Sequence, residues 1–347
     1  MTDNTLRLTE MAHGGGCGCK LDPAVLGSIL GSNTPAIMPK ELIVDAATRD
    51  DAAVYRINDE TALVATTDFF TPIVDDPFTF GQIAATNALS DIYAMGARPI
   101  FTLAIVGMPV ETLDRETIRA ILDGGRSVAS AAGAPVAGGH SIDAAEPIYG
   151  LVALGLVHPK NLKTNASARA GDVLILGKPL GVGIFSAAFK RDLLTTRGYD
   201  AMIASTTRLN TPGTVLGEME RVHALTDVTG FGLLGHASEM ALGGEVTVQI
   251  DRAAVPVFPD ARALALDGVK TGASGRNWAA IQHMVETPAD WSEADQILLC
   301  DPQTSGGLLV ACAPEAVDAV KQAFVDSGHT PAEIGRVAEG GSRIVVD

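Results

Sequence analysis

The stretch Phe80-Gly81-Gln82-Ile83-Ala84-Ala85-Thr86-Asn87-Ala88-Leu89-Ser90-Asp91-Ile92-Tyr93-Ala94-Met95 decides how this chain is read. Ala85, Ala88, Leu89 and Ile92 recur at i, i+3, i+4 and i+7, the apolar stripe of an amphipathic helix. Asn87 and Asp91 stand four residues apart on another face and carry short, oxygen-bearing side chains to one place. Gly96 and then Pro99 end the helix. Before it, Ala53 to Ile57 and Ala62 to Thr67 read as strands around the turn Asn58-Asp59-Glu60. After it come a strand over Phe101 to Val106, a helix over Arg115 to Ala132 and an apolar strand over Pro147 to Val157. Lys160 to Gly171 is polar and small and reads as a linker or the start of a domain. Asp172 to Leu176 is then a strand running into a Gly-rich turn, Gly177 to Gly183, and a second mixed stretch continues to Asp347. Strands and helices interleave in both halves, and no short-period repeat is present.

A length of 347 residues corresponds to two domains at roughly 150 residues each. Hydrophobic residues at 47% and charged residues at 19% exclude global disorder. The 25 basic and 41 acidic residues leave a net charge of −16. A chain this acidic is a poor nucleic-acid binder, because phosphate affinity comes from Lys and Arg. It can still hold a polyphosphate when metal cations screen the repulsion. No apolar run approaches the ~20 residues of a membrane span. Met1 to Glu10 is polar and mixed in charge, unlike a signal peptide. Four cysteines in a chain of this size make no disulfide scaffold, so a cytoplasmic setting is expected. Cys300 and Cys312 lie in or beside apolar runs and read as core residues.

The chemistry-bearing segments are scattered. Gly230-Phe231-Gly232-Leu233-Leu234-Gly235 matches the dinucleotide pattern G-x-G-x-x-G. The residues before it, His223 to Val228, make a poor buried parallel strand, so the context that pattern needs is missing. Gly177-Lys178 is followed by Pro179, which excludes a P-loop. Aspartates are the alternative device for a nucleotide. Asp50, Asp51, Asp68, Asp91 and Asp227 fall at strand ends, in turns or on a polar helix face, where Mg2+ could take a few carboxylates together with phosphates. Aspartates also cap helices and turns, and each alone permits that reading. In His13-Gly14-Gly15-Gly16-Cys17-Gly18-Cys19-Lys20, four glycines preclude a helix or strand. Lys20 favours the thiolate of Cys17 and could neutralise charge on a transferring phosphoryl group. A zinc site on His13, Cys17 and Cys19 is the competing reading, with a fourth ligand missing. Gly138-Gly139-His140-Ser141 reads as a turn whose backbone N–H groups could bind an anion.

Taken in order, seven segments resemble the selenophosphate synthetases, also called selenide, water dikinases. They are residues 13–20, 50–55, 66–72, 85–96, 138–143, 225–236 and 301–308. The Gly-Cys-x-x-Lys loop separates that family from its relatives among the aminoimidazole ribonucleotide synthetases, thiamine-monophosphate kinases and hydrogenase maturation proteins. The resemblance implies a two-domain α+β chain of the aminoimidazole ribonucleotide synthetase-like fold with a flexible Gly-rich N-terminal loop. An ATP-binding and dimerisation domain would span residues 1–157, and an α+β domain residues 158–347. The implied reaction is ATP + selenide + water to selenophosphate + AMP + phosphate, feeding selenocysteine and selenouridine synthesis. ATP is the implied substrate, Mg2+ the cofactor and K+ a candidate monovalent ion. A homodimer is implied, with a selenium-delivery protein as a candidate partner and neither nucleic acid nor membrane. Residue by residue, Cys17 matches the reactive cysteine and Lys20 the essential lysine. Asp51, Asp91 and Asp227 match magnesium-binding aspartates. Lys20, Thr48, Arg49, Asp50, Asp68, Asp91, Gly139, His140 and Ser141 match nucleotide contacts. Gly275 stands where the family carries Thr or Ser before Arg276-Asn277.

Overall fold

A computed structural model describes residues 7–12, 14–19, 39–45 and 50–347, with Cys17 and Cys19 described by their backbone. Strands β1 (Leu42–Val44), β2 (Ala53–Arg56), β3 (Ala62–Phe70), β4 (Arg98–Met108), β5 (Val136–Asp143) and β6 (Ile148–Val157) form one sheet, in the order β1-β2-β3-β6-β4-β5. Helix α1 (Pro77–Ala94) links β3 to β4, and α2 (Arg115–Ala131) links β4 to β5. β6 lies between β3 and β4, antiparallel to both, so α1 is a crossover between two parallel strands. β4 and β5 pair directly and in parallel.

Helix α1 begins at Pro77, three residues before the stretch read as helical from the sequence. Asp76 caps it by accepting the Thr79 N–H at 2.7 Å, and Pro77 sits in the first turn, where its missing N–H loses nothing. It crosses α2 at backbone contact. A Cβ on Gly81 would stand 1.9 Å from Ile121 O, and one on Gly124 2.0 Å from Phe78 O. Only glycine permits that approach.

The second sheet comprises β7 (Val173–Leu176), β8 (Val222–Asp227), β9 (Thr247–Ile250), β10 (Val285–Glu286), β11 (Leu308–Cys312), β12 (Ala332–Ala338) and β13 (Arg343–Val346), in the order β10-β13-β9-β12-β7-β11-β8. Around it lie α3 (Val182–Lys190), α4 (Thr196–Thr206), α5 (Pro212–Gly217), α6 (Gly232–Gly243), α7 (Ala261–Leu266), α8 (Gly272–Ile281), α9 (Glu293–Leu299) and α10 (Val317–Asp326). β7 is covered on both faces. Leu174 and Leu176 pack in the cluster of Leu233 and Ala237, and Val173 and Ile175 in that of Leu216 and Phe324. That double burial accounts for its unbroken apolar run. Cys300 and Cys312 are free and buried, as the sequence indicates.

Three local readings change. Gly138 to Ser141 is not a turn but the middle of β5, an edge strand paired to β4. Its glycines allow close pairing, since a Cβ on Gly139 would stand 2.1 Å from Ala104 O. His223 to Asp227 does form a strand, antiparallel to β11 at the sheet edge. The polar residues at its end are tolerated because they are hydrogen-bonded across the domain seam, as shown below. Lys160 to Gly171 is docked rather than loose. Lys163 Nζ donates to Met219 O and Val222 O at 3.0 and 2.8 Å.

Helix α1 joins the halves. β8, α4 and α5 pack on it, and one apolar cluster runs from Phe80 and Ile83 to Phe185, Met202 and Ile297. Its polar face is therefore buried as well as its stripe.

Candidate active site

The buried polar face of α1 gathers carboxylates from both halves. Asn87 donates from Nδ2 to Asp68 Oδ2 at 2.6 Å, near the end of β3. Thr66 Oγ1 on the same strand donates to Asp91 Oδ2. Ser90 Oγ donates to Asp227 Oδ2, at the end of β8 in the other half. Asp51, two residues before β2, accepts at Oδ1 from Thr226 Oγ1 at 2.9 Å. Asp50 Oδ1 accepts the Asn165 N–H at 2.9 Å. Four of the scattered aspartates are thus fixed at one seam by α1 and β8, and Asp50 is fixed alongside.

The electrostatics of the seam are those of crowded anions. Burial pushes the Asp51 carboxyl well above its usual range, the charges of Asp227 and Asp91 push it further, and the Thr226 hydroxyl opposes them. Asp51 Oδ2 is closed off from solvent and has no hydrogen-bond partner among the described residues. A buried, unpartnered carboxylate oxygen beside two more carboxylates suits a hard divalent cation, which takes oxygen ligands. No group of three or more His, Cys, Asp or Glu side chains among the described residues is set at metal-holding spacing. Mg2+ requires no such cage, because it usually keeps waters and takes substrate phosphates beside one or two carboxylates.

Segment 301–307 is the seat of this site. Asp301 Oδ2 accepts the Gly183 N–H at 2.9 Å, and Gln303 Oε1 accepts those of Gly181 and Val182. The Ser305 N–H donates to Asn87 Oδ1 at 2.7 Å. Lys178 is buried and donates from Nζ to Arg208 O and Ser305 O at 2.7 and 2.9 Å. Burial pushes its ammonium down to about 7 against the pull of Asp227. The glycines do not preclude a helix, since Gly16–Cys19 forms one short 3-10 turn of helix; Gly16 packs on Thr304 and Ile73 and donates its N–H to Thr71 O at 2.9 Å. Lys190 Nζ donates to Gly14 O at 3.0 Å. The Gly-rich segment is therefore held between the two halves, one residue from the Ser305–Asn87–Asp68 chain. Lys20, Thr48 and Arg49 lie outside the described residues, as do His13 and the Cys17 side chain.

Gly139, His140 and Ser141 are not brought to the aspartates. Asp68 pairs with Leu151, Leu151 with Ala104 and Ala104 with Gly139, so three strand spacings, roughly 14 Å, separate Asp68 from Gly139. These residues line a separate groove of about 340 Å³ with Arg126 and Tyr149. Ser90, Asn210, Thr226, Lys178 and Ser305 escaped the sequence reading. Ser90, three residues after Asn87 on the same helix, and Thr226 and Ser305, inside segments 225–236 and 301–308, carried a signal.

The sequence matches the AIR synthase related protein N-terminal domain over residues 49–157 and the C-terminal domain over residues 169–347. It is 60% identical to a selenide, water dikinase of Burkholderia pseudomallei, over 98% of this chain and 96% of that protein. Among solved structures, the thiamine-monophosphate kinase of Stenotrophomonas maltophilia superposes with a TM-score of 0.65 at 21% identity, over 89% and 92% of the two chains. A hydrogenase maturation protein HypE solved in complex with ATP superposes with a TM-score of 0.63 at 20% identity, over 92% and 93%. The structural likenesses establish the two-domain fold. Identity at the level of the Burkholderia protein, sustained over nearly the whole chain, shows that the chain belongs to the selenide, water dikinase family.

Proposed function

We propose that the chain converts ATP, selenide and water to selenophosphate, AMP and phosphate, supplying activated selenium for selenocysteine and selenouridine synthesis. The observation that carries this reading is the meeting of Asp51, Asp91 and Asp227, drawn from both halves, next to the seat of the Gly-rich segment. Breaking two phosphoanhydride bonds requires charge neutralisation along a triphosphate. Asp51, Asp91 and Asp227 would hold Mg2+, which supplies that neutralisation when bound. Asp68, Asp91 and the Thr48-Arg49-Asp50 segment would fix the nucleotide. Cys17 is the reactive thiol, and Lys20 the cation that meets charge developing on the transferred phosphoryl group. The seating of Gly16 between Ile73 and Thr304 supports a loop that excludes water around Cys17 and Lys20. The ATP held by the hydrogenase maturation protein of the same fold agrees with the nucleotide reading.

We place the division of labour at residues 157/158, since the first sheet ends at Val157 and the second begins at Val173. A second copy covers the outer face of the first sheet. Helices cover one face of that sheet, while the other carries Phe69 and Ile105 in one row, and Ile142 lies on the exposed edge strand beside it. Phe69 is 47% and Ile142 58% exposed. Exposed apolar faces of this kind mark interaction surfaces. His140 shares the row of Phe69 and Ile105, so the nucleotide contact assigned to Gly139-His140-Ser141 is made across the dimer. Phosphorus NMR of ATP turnover tests the reaction. Selenophosphate, AMP and phosphate should form together when selenide is added. ADP as the end product whether or not selenide is present would refute the assignment.

A further inference from the structure

Ser90, Asn210 and Asp227 meet where α1, the loop after α4 and the end of β8 touch, and they are 0, 1 and 1% exposed. Asn210 Nδ2 donates to Ser90 Oγ at 2.7 Å and to Gly306 O at 2.8 Å. The amide orientation is fixed, because a flipped amide would set Oδ1 against the Gly306 carbonyl oxygen. An amide nitrogen only donates, so Ser90 must accept from it. A serine hydroxyl has one hydrogen, and that hydrogen is left for Asp227 Oδ2. Without Asn210 the Ser90 hydroxyl could turn back to the carbonyl four residues earlier on its own helix, the usual alternative for a mid-helix serine.

We propose that Ser90 and Asn210 form a positioning pair for Asp227. Asn210 sets the Ser90 hydroxyl, and Ser90 sets the carboxylate in the orientation in which it meets the metal–nucleotide. This rests on the reading of Asp227 as a metal ligand. Both residues act through Asp227 and neither touches substrate. The hydroxyl comes from the first half and the carboxylate from the second, so the pair also makes the metal site depend on the docking of the two halves. Hydrogen-bond partners of metal ligands typically change metal affinity by about 10–100-fold when lost.

The test is Mn2+ binding to the protein with a non-hydrolysable ATP analogue, read by electron paramagnetic resonance of free Mn2+. Thermal stability of the metal-free protein is measured alongside. Ser90→Ala and Asn210→Ala should each weaken Mn2+ binding by about tenfold or more. The double variant should lose no more than Ser90→Ala alone, because Asn210 acts only through the hydroxyl. Ser90→Thr, which keeps the hydroxyl, should bind near the wild-type level. Asn210→Ala changes no residue of α1 and carries the test should Ser90→Ala fail to fold. Wild-type Mn2+ affinity in Ser90→Ala or Asn210→Ala with lowered thermal stability would make the pair merely structural and overturn the proposal. Losses that multiply in the double variant would also overturn it. Asp227→Asn separates the two levels. Wild-type Mn2+ affinity there sinks the ligand reading itself, whereas loss there without loss in Ser90→Ala sinks only the positioning pair.

Discussion

Gly16→Ala should lower the activity of the protein while leaving it folded. Gly16 has φ +55, and a Cβ there would stand 2.2 Å from Thr304 Oγ1 and 2.7 Å from Ile73 Cγ2. The left-handed conformation costs a non-glycine residue about 1–2 kcal/mol. Forcing a methyl into a packed site typically costs about 1–3 kcal/mol more, so the seated loop is raised by roughly 2–5 kcal/mol. Against this stand two hydrogen bonds, Gly16 N–H to Thr71 O and Lys190 Nζ to Gly14 O, each contributing about 1 kcal/mol net. The penalty equals or exceeds what the seat returns, so the segment should leave Thr304 rather than strain the core. At 1.36 kcal/mol per decade, the lower end of the range divides the seating equilibrium constant by about 30, which leaves about half of the molecules seated where nearly all were before, and the upper end leaves under about 1% seated. Selenide-dependent selenophosphate formation by phosphorus NMR should therefore fall by a factor of about 2 at the lower end and of about 100 or more at the upper end, with the thermal midpoint within about 2 °C of wild type. Adding Thr304→Ala removes the shortest contact but neither the backbone strain nor Ile73, so it should restore part of the loss. Wild-type turnover in Gly16→Ala would refute the view that the observed seat is the working position of the loop.

The loop cysteines should separate. Cys17→Ser loses selenophosphate formation while Cys19→Ser largely keeps it, and equal loss in both would favour a shared metal site. Lys178 predicts a pH dependence in the metal-free protein. Its folded value of about 7 lies below the roughly 10.4 of an unfolded lysine. Between these values the unfolded chain holds the extra proton, so stability rises with pH across the window and the full penalty remains below about pH 7. Urea unfolding at several alkaline pH values should show a rise in wild type, up to about 1.4 kcal/mol per pH unit, that Lys178→Met lacks. Parallel profiles for the two proteins would show that Lys178 stays charged throughout.

What the sequence disclosed is what local spacing controls. The 80–95 helix follows from the recurrence of Ala85, Ala88, Leu89 and Ile92, and β7 from an apolar run that only double burial explains. Asp51, Asp68, Asp91 and Asp227 were visible because few residue types suit a metal-bound polyphosphate. Their hydrogen-bond partners were not. Ser90 meets Asn210 across 120 residues and Asp227 across 137, and Thr226 meets Asp51 across 175. Serine, threonine and asparagine occur everywhere on surfaces, and only the docking of two domains picks out these copies. Gly138 to Ser141 misled for a related reason. Paired glycines signal a turn locally, but here they serve a strand whose backbone presses against Ala104.

The seam between the halves and the nucleotide site proposed there would form one electrostatic system. Asp227 and Asp91 repel Asp51, whose carboxyl group has lost solvent, in a chain already carrying −16. Left alone, those charges would push the halves apart. Opposing interactions include Thr226 to Asp51, Ser90 to Asp227, Thr66 to Asp91 and the Asn165 N–H to Asp50. A hydrogen bond to a charged group contributes about 1.5–3 kcal/mol, which helps to hold the carboxyl groups together. Three of these four bonds, all but Thr66 to Asp91, cross between residues before 157 and residues after 158. Any cation bound at Asp51 Oδ2 removes the repulsion those bonds resist, so filling the site also tightens the seam. If the seam holds the metal–nucleotide proposed for it, the arrival of that ligand should tighten the contact between the two halves.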